Sequence, residues 1–194
     1  MILTFNMLVS VAVRRALATT PQQPCRLFHQ STAARGLLKN VDPILSGSLL
    51  KILRDAGHGD RIVFTDCNFP AAEVSSHTVT KELVTLAGVD LPTAVDACCS
   101  LLPLDYFVDC PVEYMVPESG GSTPPLADEV HNAVKAVVAK HADGVQTGGI
   151  TRHRFYDEAR KTFAVVQCVA ERRPYGNVIL TKGVIGPDGK DLKP

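Results

Sequence analysis

Residues 57–70 read GHGDRIVFTDCNFP: a glycine-rich turn, an apolar run and a polar loop in direct succession. The run Ile62–Phe64 is short, apolar and rich in β-prone side chains, which predicts a buried strand ending near Asp66. Upstream, Ser46 is a favourable N-cap, and the apolar residues after it cluster on one side of a helix that ends at Gly57. The segment therefore predicts a helix, a tight turn and a buried strand.

The same alternation of helices and strands continues along the rest of the chain. Capping residues and the helical spacing of apolar residues predict helices over residues 90–102, 126–141 and 155–161. Runs of β-prone residues predict strands over residues 79–87, 163–166 and 178–180. The prolines and glycines between residues 111 and 125 predict a loop with a strand fragment at most. Alternating elements of this kind favour a layered α/β domain.

Length and composition limit the classes of protein to which the chain can belong. It has 194 residues, of which 45% are hydrophobic and 21% charged, as expected for one globular domain with a tail. The 20 basic and 20 acidic residues give no net charge. Nucleic acid is therefore not an expected partner, because binding to phosphates needs clustered Lys and Arg.

The N-terminal segment, residues 1–35, differs in composition from the rest of the chain. It carries four arginines and no acidic residue, which is typical of a mitochondrial transit peptide, whereas an unstructured tail is the alternative. Its stretch Arg26–Ser31 has the Arg-x-Phe-x-x-Ser pattern found near matrix-processing sites. The apolar opening, residues 1–13, is too short to span a membrane. We therefore predict a location in the mitochondrial matrix, with the cytoplasm as the alternative, and no membrane association.

The cysteines and histidines show no metal-binding pattern. The six cysteines include no C-x-x-C pair, and Cys98 and Cys99 are adjacent, which predicts reduced, mostly buried thiols. His131 and His141 are ten residues apart on a predicted helix, a spacing that favours solvent-facing histidines over a common metal site. No metal and no cofactor are expected.

His58 and Asp66 are candidates for chemistry at the two ends of the predicted strand. His58 lies between two glycines, so its ring can project from a turn, and its reference pKa of about 6.5 suits a proton shuttle. The alternative is an ordinary histidine of a surface turn. Asp66 follows the strand and can accept hydrogen bonds from a polyol, although it can equally cap the loop.

Arg152 and the segment Tyr175-Gly176-Asn177 are the other candidates. Arg152 can donate several hydrogen bonds to hydroxyl groups or to a developing oxyanion, or it can pair with Asp157 on the surface. Gly176 permits a tight turn, so the side chains of Tyr175 and Asn177 can reach one pocket. Taken alone, the segment predicts only a turn.

The combination of these motifs, in this order, resembles the RbsD/FucU family of sugar pyranases and fucose mutarotases. The resemblance covers residues 36–185, leaves residues 186–194 as a C-terminal tail, and is closest to the fucose mutarotase branch. It implies a single three-layer α/β/α domain and a homo-oligomer in which a neighbouring subunit completes each site. It further implies that His58 is the proton donor, and that the sugar is bound by Asp66, Arg152, Tyr175, Gly176 and Asn177.

The function expected from this resemblance is an isomerase that interconverts the α and β anomers of L-fucose or a related monosaccharide without a cofactor. His58 and Tyr175 are the expected catalytic residues, and either Asp66 or Tyr175 is the proton-transfer partner of His58. Phe69 and Tyr156 are candidate contacts for the methyl group of fucose. The alternatives are a sugar-binding or assembly protein of the same fold without turnover, and a ribose pyranase.

Overall fold

The computed structural model describes residues 36–118 and 121–194. The predicted targeting or disordered segment, residues 1–35, lies outside the described residues. None of the helices in the described residues has both the length and the apolar character needed to cross a membrane.

The described residues contain five helices. They are α1 (Gly47–Asp55), α2 (Ala71–Ser75), α3 (Leu91–Cys99), α4 (Pro125–His141) and α5 (Arg152–Ala159). Two of them begin at predicted capping residues, because the side chains of Ser46 and Asp90 accept hydrogen bonds from the first turns of α1 and α3. Helix α5 begins three residues earlier than predicted, and the short helix α2 was not predicted.

One mixed sheet of six strands forms the centre of the domain. Its strands are β1 (Arg61–Thr65), β2 (Leu83–Leu86), β3 (Val112–Val116), β4 (Thr147–Thr151), β5 (Ala164–Cys168) and β6 (Val178–Thr181), in the order β2-β5-β1-β6-β3-β4. Strand β6 runs antiparallel to its neighbours β1 and β3, and every other pair is parallel.

The helices cover both faces of the sheet, which confirms the expected three-layer α/β/α architecture. Helices α1, α3 and α4 pack on the face that carries Ile62, Phe64 and Leu180. Helices α2 and α5 pack on the opposite face, against Val63 and Ile179. Consecutive residues of β1 thus enter two different cores, which explains why this strand is a continuous apolar run.

Three strands differ from the sequence prediction. Strand β2 occupies only residues 83–86 of the predicted 79–87. Residues 112–116 form an interior strand, β3, rather than a loop with a strand fragment. Strand β4 was not predicted, because its pair Gly148-Gly149 is typical of a turn. Here these glycines allow close packing, since a Cβ at Gly149 would lie 2.8 Å from Val116 Cγ1.

Candidate active site

The topology divides the predicted site residues between two edges of the sheet. We call the edge where β1, β3 and β4 end and β6 begins the carboxyl edge, and the opposite one the amino edge. Asp66 follows β1, Arg152 follows β4, and residues 175–177 precede β6, so all of them lie at the carboxyl edge. His58 precedes β1 and lies at the amino edge. In open α/β sheets, the carboxyl edge is the usual place for a ligand.

Asp66 and Asn177 form a reciprocal pair at the carboxyl edge. Asn177 Nδ2 donates to Asp66 Oδ2 at 2.8 Å, and the backbone N–H of Asp66 donates to Asn177 Oδ1 at 3.1 Å. The other carboxylate oxygen of Asp66 accepts from the N–H of Asn68 at 2.8 Å. Both side chains are buried, and burial raises the pKa of Asp66 despite these hydrogen bonds. The pair therefore fixes a carboxylate beside the turn that precedes β6.

The turn at residues 175–177 has an unusual backbone. Tyr175 has φ = 61°, a left-handed conformation that costs about 1–2 kcal/mol for a residue with a Cβ. Its carbonyl oxygen accepts two hydrogen bonds, from the N–H of Asn177 at 2.8 Å and from His131 Nε2 at 3.0 Å. At Gly176 a Cβ would lie 2.8 Å from Glu171 Cγ. The turn thus needs a glycine at this position for steric reasons.

Glu171 is the buried anchor of this turn. Its carboxylate accepts from the backbone N–H groups of Arg173 and Leu91 and from the Arg173 guanidinium, at distances of 2.6–3.2 Å. Burial favours the neutral acid, but these donors outweigh it and hold the pKa of Glu171 below its ordinary value. Glu171 was not singled out from the sequence: Arg173 is only two residues away, but the contact with Leu91, 80 residues earlier, is not visible in any local pattern.

Arg152 is the first residue of α5, and its side chain is exposed. In the described part of the chain it has neither a hydrogen bond nor an ion pair, and Asp157, its suggested surface partner, lies near Arg160 instead. Arg152 is thus available at the carboxyl edge. An aromatic pair lies on the α2/α5 side of the sheet: Phe69 is buried, and its ring centroid is 5.4 Å from that of the half-buried Tyr156.

His58 lies next to Asp105 rather than next to Asp66 or Tyr175, its predicted proton-transfer partners. Its Nε2 lies 3.1 Å from Oδ2 of Asp105, whose side chain is only 1% exposed, whereas the His58 side chain is 51% exposed. The other oxygen of Asp105 accepts from the N–H of Phe107, and the Phe107 ring meets the imidazole edge-on at 6.1 Å. A buried carboxylate thus orients a solvent-accessible imidazole. Asp105 could not be found from the sequence because it is 47 residues away from His58.

One copy of the chain does not bring His58 close to Asp66 or Tyr175. Strand β1 separates the two edges, and its five residues span about 13 Å at about 3.3 Å per residue. The pairing of β6 agrees with this separation, since the backbone of Lys182 bonds to Gly59 and Asp60, whereas Asn177 bonds to Asp66. A monosaccharide is too small to contact both edges of one copy.

The structure also corrects the interpretation of His131 as a solvent-facing histidine. His131 is only 3% exposed, and burial lowers its pKa. His141 pairs with Asp96, so the two histidines have unrelated surroundings. Within residues 36–118 and 121–194, no three His, Cys, Asp or Glu side chains are grouped as a metal ion would require. The cysteines described there are all free, and Cys98, Cys99 and Cys168 are buried.

Comparisons with known proteins agree with this fold. Residues 39–185 match the model of the RbsD / FucU transport protein family. The L-fucose mutarotase of Glaesserella parasuis is 35% identical over 148 residues, which cover 76% of this chain and 96% of that protein. The L-fucose mutarotase of Actinobacillus pleuropneumoniae serotype 5b is 31% identical, with 76% and 97% covered.

A solved structure also resembles this chain along most of its length. The fucose mutarotase of Streptococcus pneumoniae, in complex with L-fucose, superposes with a TM-score of 0.67 at 32% identity, covering 77% of this chain and all of that chain (100%). These relatives are mutarotases and are 31–35% identical to this chain. Their similarity supports an enzyme of the isomerase type.

The prediction of a mitochondrial matrix location is wrong. These relatives come from bacteria, which have no mitochondria, and the family match begins at residue 39, after the segment on which the prediction rested. Of the two locations predicted from the sequence, only the cytoplasm agrees with the relatives.

The family assignment rests on both sequence and structure. The family model matches most of the chain, and the curated relatives align over nearly their whole length. The topology also places the motifs that carried the resemblance at the ends of β1, β4 and β6. The chain therefore belongs to the RbsD / FucU transport protein family.

Proposed function

We propose that this protein is a mutarotase that interconverts the α and β anomers of L-fucose or a closely related monosaccharide. The observation that carries the proposal is the pair of His58 and Asp105, because a half-exposed imidazole held by a buried carboxylate is suited to proton transfer. A protein that only binds a sugar would not need such a pair. The L-fucose mutarotases among the relatives support the choice of sugar.

The reaction requires only proton transfers. The C1 hydroxyl loses its proton, the ring oxygen gains one, and the C1–O5 bond breaks to give the open-chain aldehyde. Rotation about C1–C2 and the reverse steps then give the other anomer. No electron is transferred, so no oxidant or reductant takes part. A positioned acid or base typically accelerates such steps by about 10²–10⁴-fold.

The geometry suggests how His58 would serve these steps. A carboxylate only accepts hydrogen bonds, so His58 Nε2 carries a proton toward Asp105. Nδ1 is then the basic nitrogen of the neutral ring, and it can take a proton from the sugar and return it. Asp105 would stabilise the imidazolium formed in between.

The sugar would be held by the carboxyl edge. Asp66 and Asn177 present fixed polar groups there, Tyr175 adds a hydroxyl, and Arg152 adds an exposed guanidinium. Tyr156, backed by the buried Phe69, offers an aromatic surface for the C6 methyl of fucose. Either Asp66 or Tyr175 would act as the proton-transfer partner of His58.

We further propose that a complete site contains the amino edge of one copy and the carboxyl edge of another. The length of β1 between His58 and Asp66 supports this arrangement, because both residues can touch one sugar only if they come from different copies. The protein would then act as a homo-oligomer with its sites at subunit interfaces.

The proposed activity can be tested by saturation-transfer NMR on the anomeric protons of L-fucose, L-galactose and D-ribose with the full-length chain. We expect protein-dependent exchange with L-fucose and its loss in His58→Ala. L-Galactose, which has a hydroxyl in place of the C6 hydrogen, measures the contribution of Tyr156. Exchange with D-ribose alone would indicate the pyranase, and binding without exchange would indicate a sugar-binding protein.

The shared site can be tested by co-expressing two inactive variants. His58→Ala removes the amino-edge group and Asn177→Ala disrupts the carboxyl edge, so random mixing leaves up to about one quarter of the shared sites intact. Recovery of activity in the mixture, with none in either variant alone, supports the arrangement. A mixture as inactive as its parents would argue against it.

A further inference from the structure

His131 is a buried titratable group to which the proposed reaction gives no role. It lies on α4, and its imidazole packs against the ring of Tyr114, with 4.5 Å between the centroids. Its Nε2 is 3.0 Å from the carbonyl oxygen of Tyr175. A carbonyl oxygen only accepts hydrogen bonds, so this nitrogen must carry the proton. The imidazole therefore donates a side-chain hydrogen bond from α4 to the turn at residues 175–177.

The acceptor is a key atom of that turn. The Tyr175 carbonyl also accepts from the N–H of Asn177, and the side chain of Asn177 in turn binds Asp66. One peptide plane therefore sets the direction of Tyr175 and the position of the Asn177–Asp66 pair. Since Tyr175 has φ = 61°, the free turn would favour other conformations, and contacts from outside must hold it.

We propose that His131 is a positioning residue of the sugar site, which holds the turn at residues 175–177 in its binding conformation through the Tyr175 carbonyl. The inference rests on the proposed function, because it assumes that this turn binds the sugar. His131 itself does not touch the sugar: it is buried behind the turn, and its N–H toward the site is used by Tyr175.

Three variants of α4 test the role of this hydrogen bond. His131→Leu removes the donor but keeps an apolar side chain, whereas His131→Gln keeps an N–H near the position of Nε2. Val134→Ala is the matched control. Val134 is buried one turn further along α4, in the core between α1, α3, α4 and the sheet, and its truncation creates a cavity there but leaves the His131 donor in place. All three are compared with the wild type for L-fucose exchange, thermal stability and amide hydrogen exchange.

We expect His131→Leu to raise the KM for L-fucose about five- to tenfold, the effect of losing one hydrogen bond, with a smaller change in kcat. His131→Gln should restore most of the loss, and Val134→Ala should lower stability without raising KM. The Asn177 amide, which donates to the same carbonyl, should exchange faster in His131→Leu than in Val134→Ala.

The amide readout separates this inference from the proposed function. If the wild type exchanges no sugar anomers, the function is wrong, and faster exchange of the Asn177 amide in His131→Leu alone would still show that His131 holds the turn. If His131→Leu keeps both the wild-type KM and the wild-type Asn177 protection, the positioning role is wrong. If His131→Leu does not fold, the positioning role is tested with His131→Gln and with the ¹⁵N shift of His131 Nε2 in the wild type. A deprotonated Nε2 would overturn the proposal.

Discussion

Gly176→Ala tests the packing behind the sugar-binding turn. The added Cβ would lie 2.8 Å from Glu171 Cγ and 3.1 Å from the carbonyl oxygen of Arg173, whereas carbon atoms in contact are normally about 3.5–4.0 Å apart. Glu171 cannot simply move away, because its carboxylate is buried and bound to Arg173 and Leu91. Overpacking of this kind costs about 1–3 kcal/mol. We therefore expect the free energy of unfolding to fall by about 2 kcal/mol.

For a domain of this size, that loss corresponds to a decrease in Tm of about 4–8 °C, measurable by circular dichroism. Gly47→Ala is the matched control, because a Cβ added there, in the first turn of α1, would meet no atom within 4 Å beyond its chain neighbours and the backbone of α1. That change should be neutral or slightly stabilising, by up to about 1 kcal/mol. Equal Tm values for Gly176→Ala and Gly47→Ala would refute the view that Glu171 is held rigidly against the turn.

Three further changes test other features. Thr65 has a buried hydroxyl with no hydrogen-bond partner in the described residues, so Thr65→Val should raise the free energy of unfolding, measured in urea, by about 1 kcal/mol. Thr78→Val is the control, because it removes a bonded hydroxyl and should lower that free energy by a similar amount. If both variants are less stable than the wild type, the Thr65 hydroxyl is not an unpaired group. Burial lowers the pKa of His131, so its contribution to stability is complete above its unfolded value of about 6.5 and is lost as the pH falls toward the folded value. The free energy of unfolding of the wild type should thus fall more than that of His131→Gln between about pH 7 and pH 5. Parallel plots of unfolding free energy against pH for the two proteins would contradict this. Asp105→Asn should slow anomer exchange at least about tenfold by removing the carboxylate that orients His58, and an unchanged NMR rate would exclude that role.

The elements that could be predicted from the sequence are those whose signals are local. Helices α1 and α3 are marked by the capping residues Ser46 and Asp90, and β1 by an apolar run that is buried on both faces. The elements that were missed depend on contacts from far along the chain. Strand β4 contains Gly148 and Gly149 because side chains of neighbouring residues occupy the space of a Cβ, and no local pattern distinguishes such a pair from a turn.

The same limit applies to the site. His58, Asp66 and the segment 175–177 were found because motifs surround them, and the structure places the last two side by side. Asp105 and His131 were missed or misread because their partners lie 47 and 44 residues away. The separation of His58 from the carboxyl edge follows from the direction of the strands, which single residues and their spacing do not reveal.

The position of β6 has a consequence for how the protein is made. It is the last of the six strands in chain order, yet it lies between β1 and β3 and joins the group β2-β5-β1 to the pair β3-β4. While the ribosome is still translating residues 178–181, the two parts of the sheet have no strand to connect them. The central sheet can therefore be completed only after residues 178–181 have emerged, and a nascent chain stalled before β6 should expose two unpaired inner edges to chaperones.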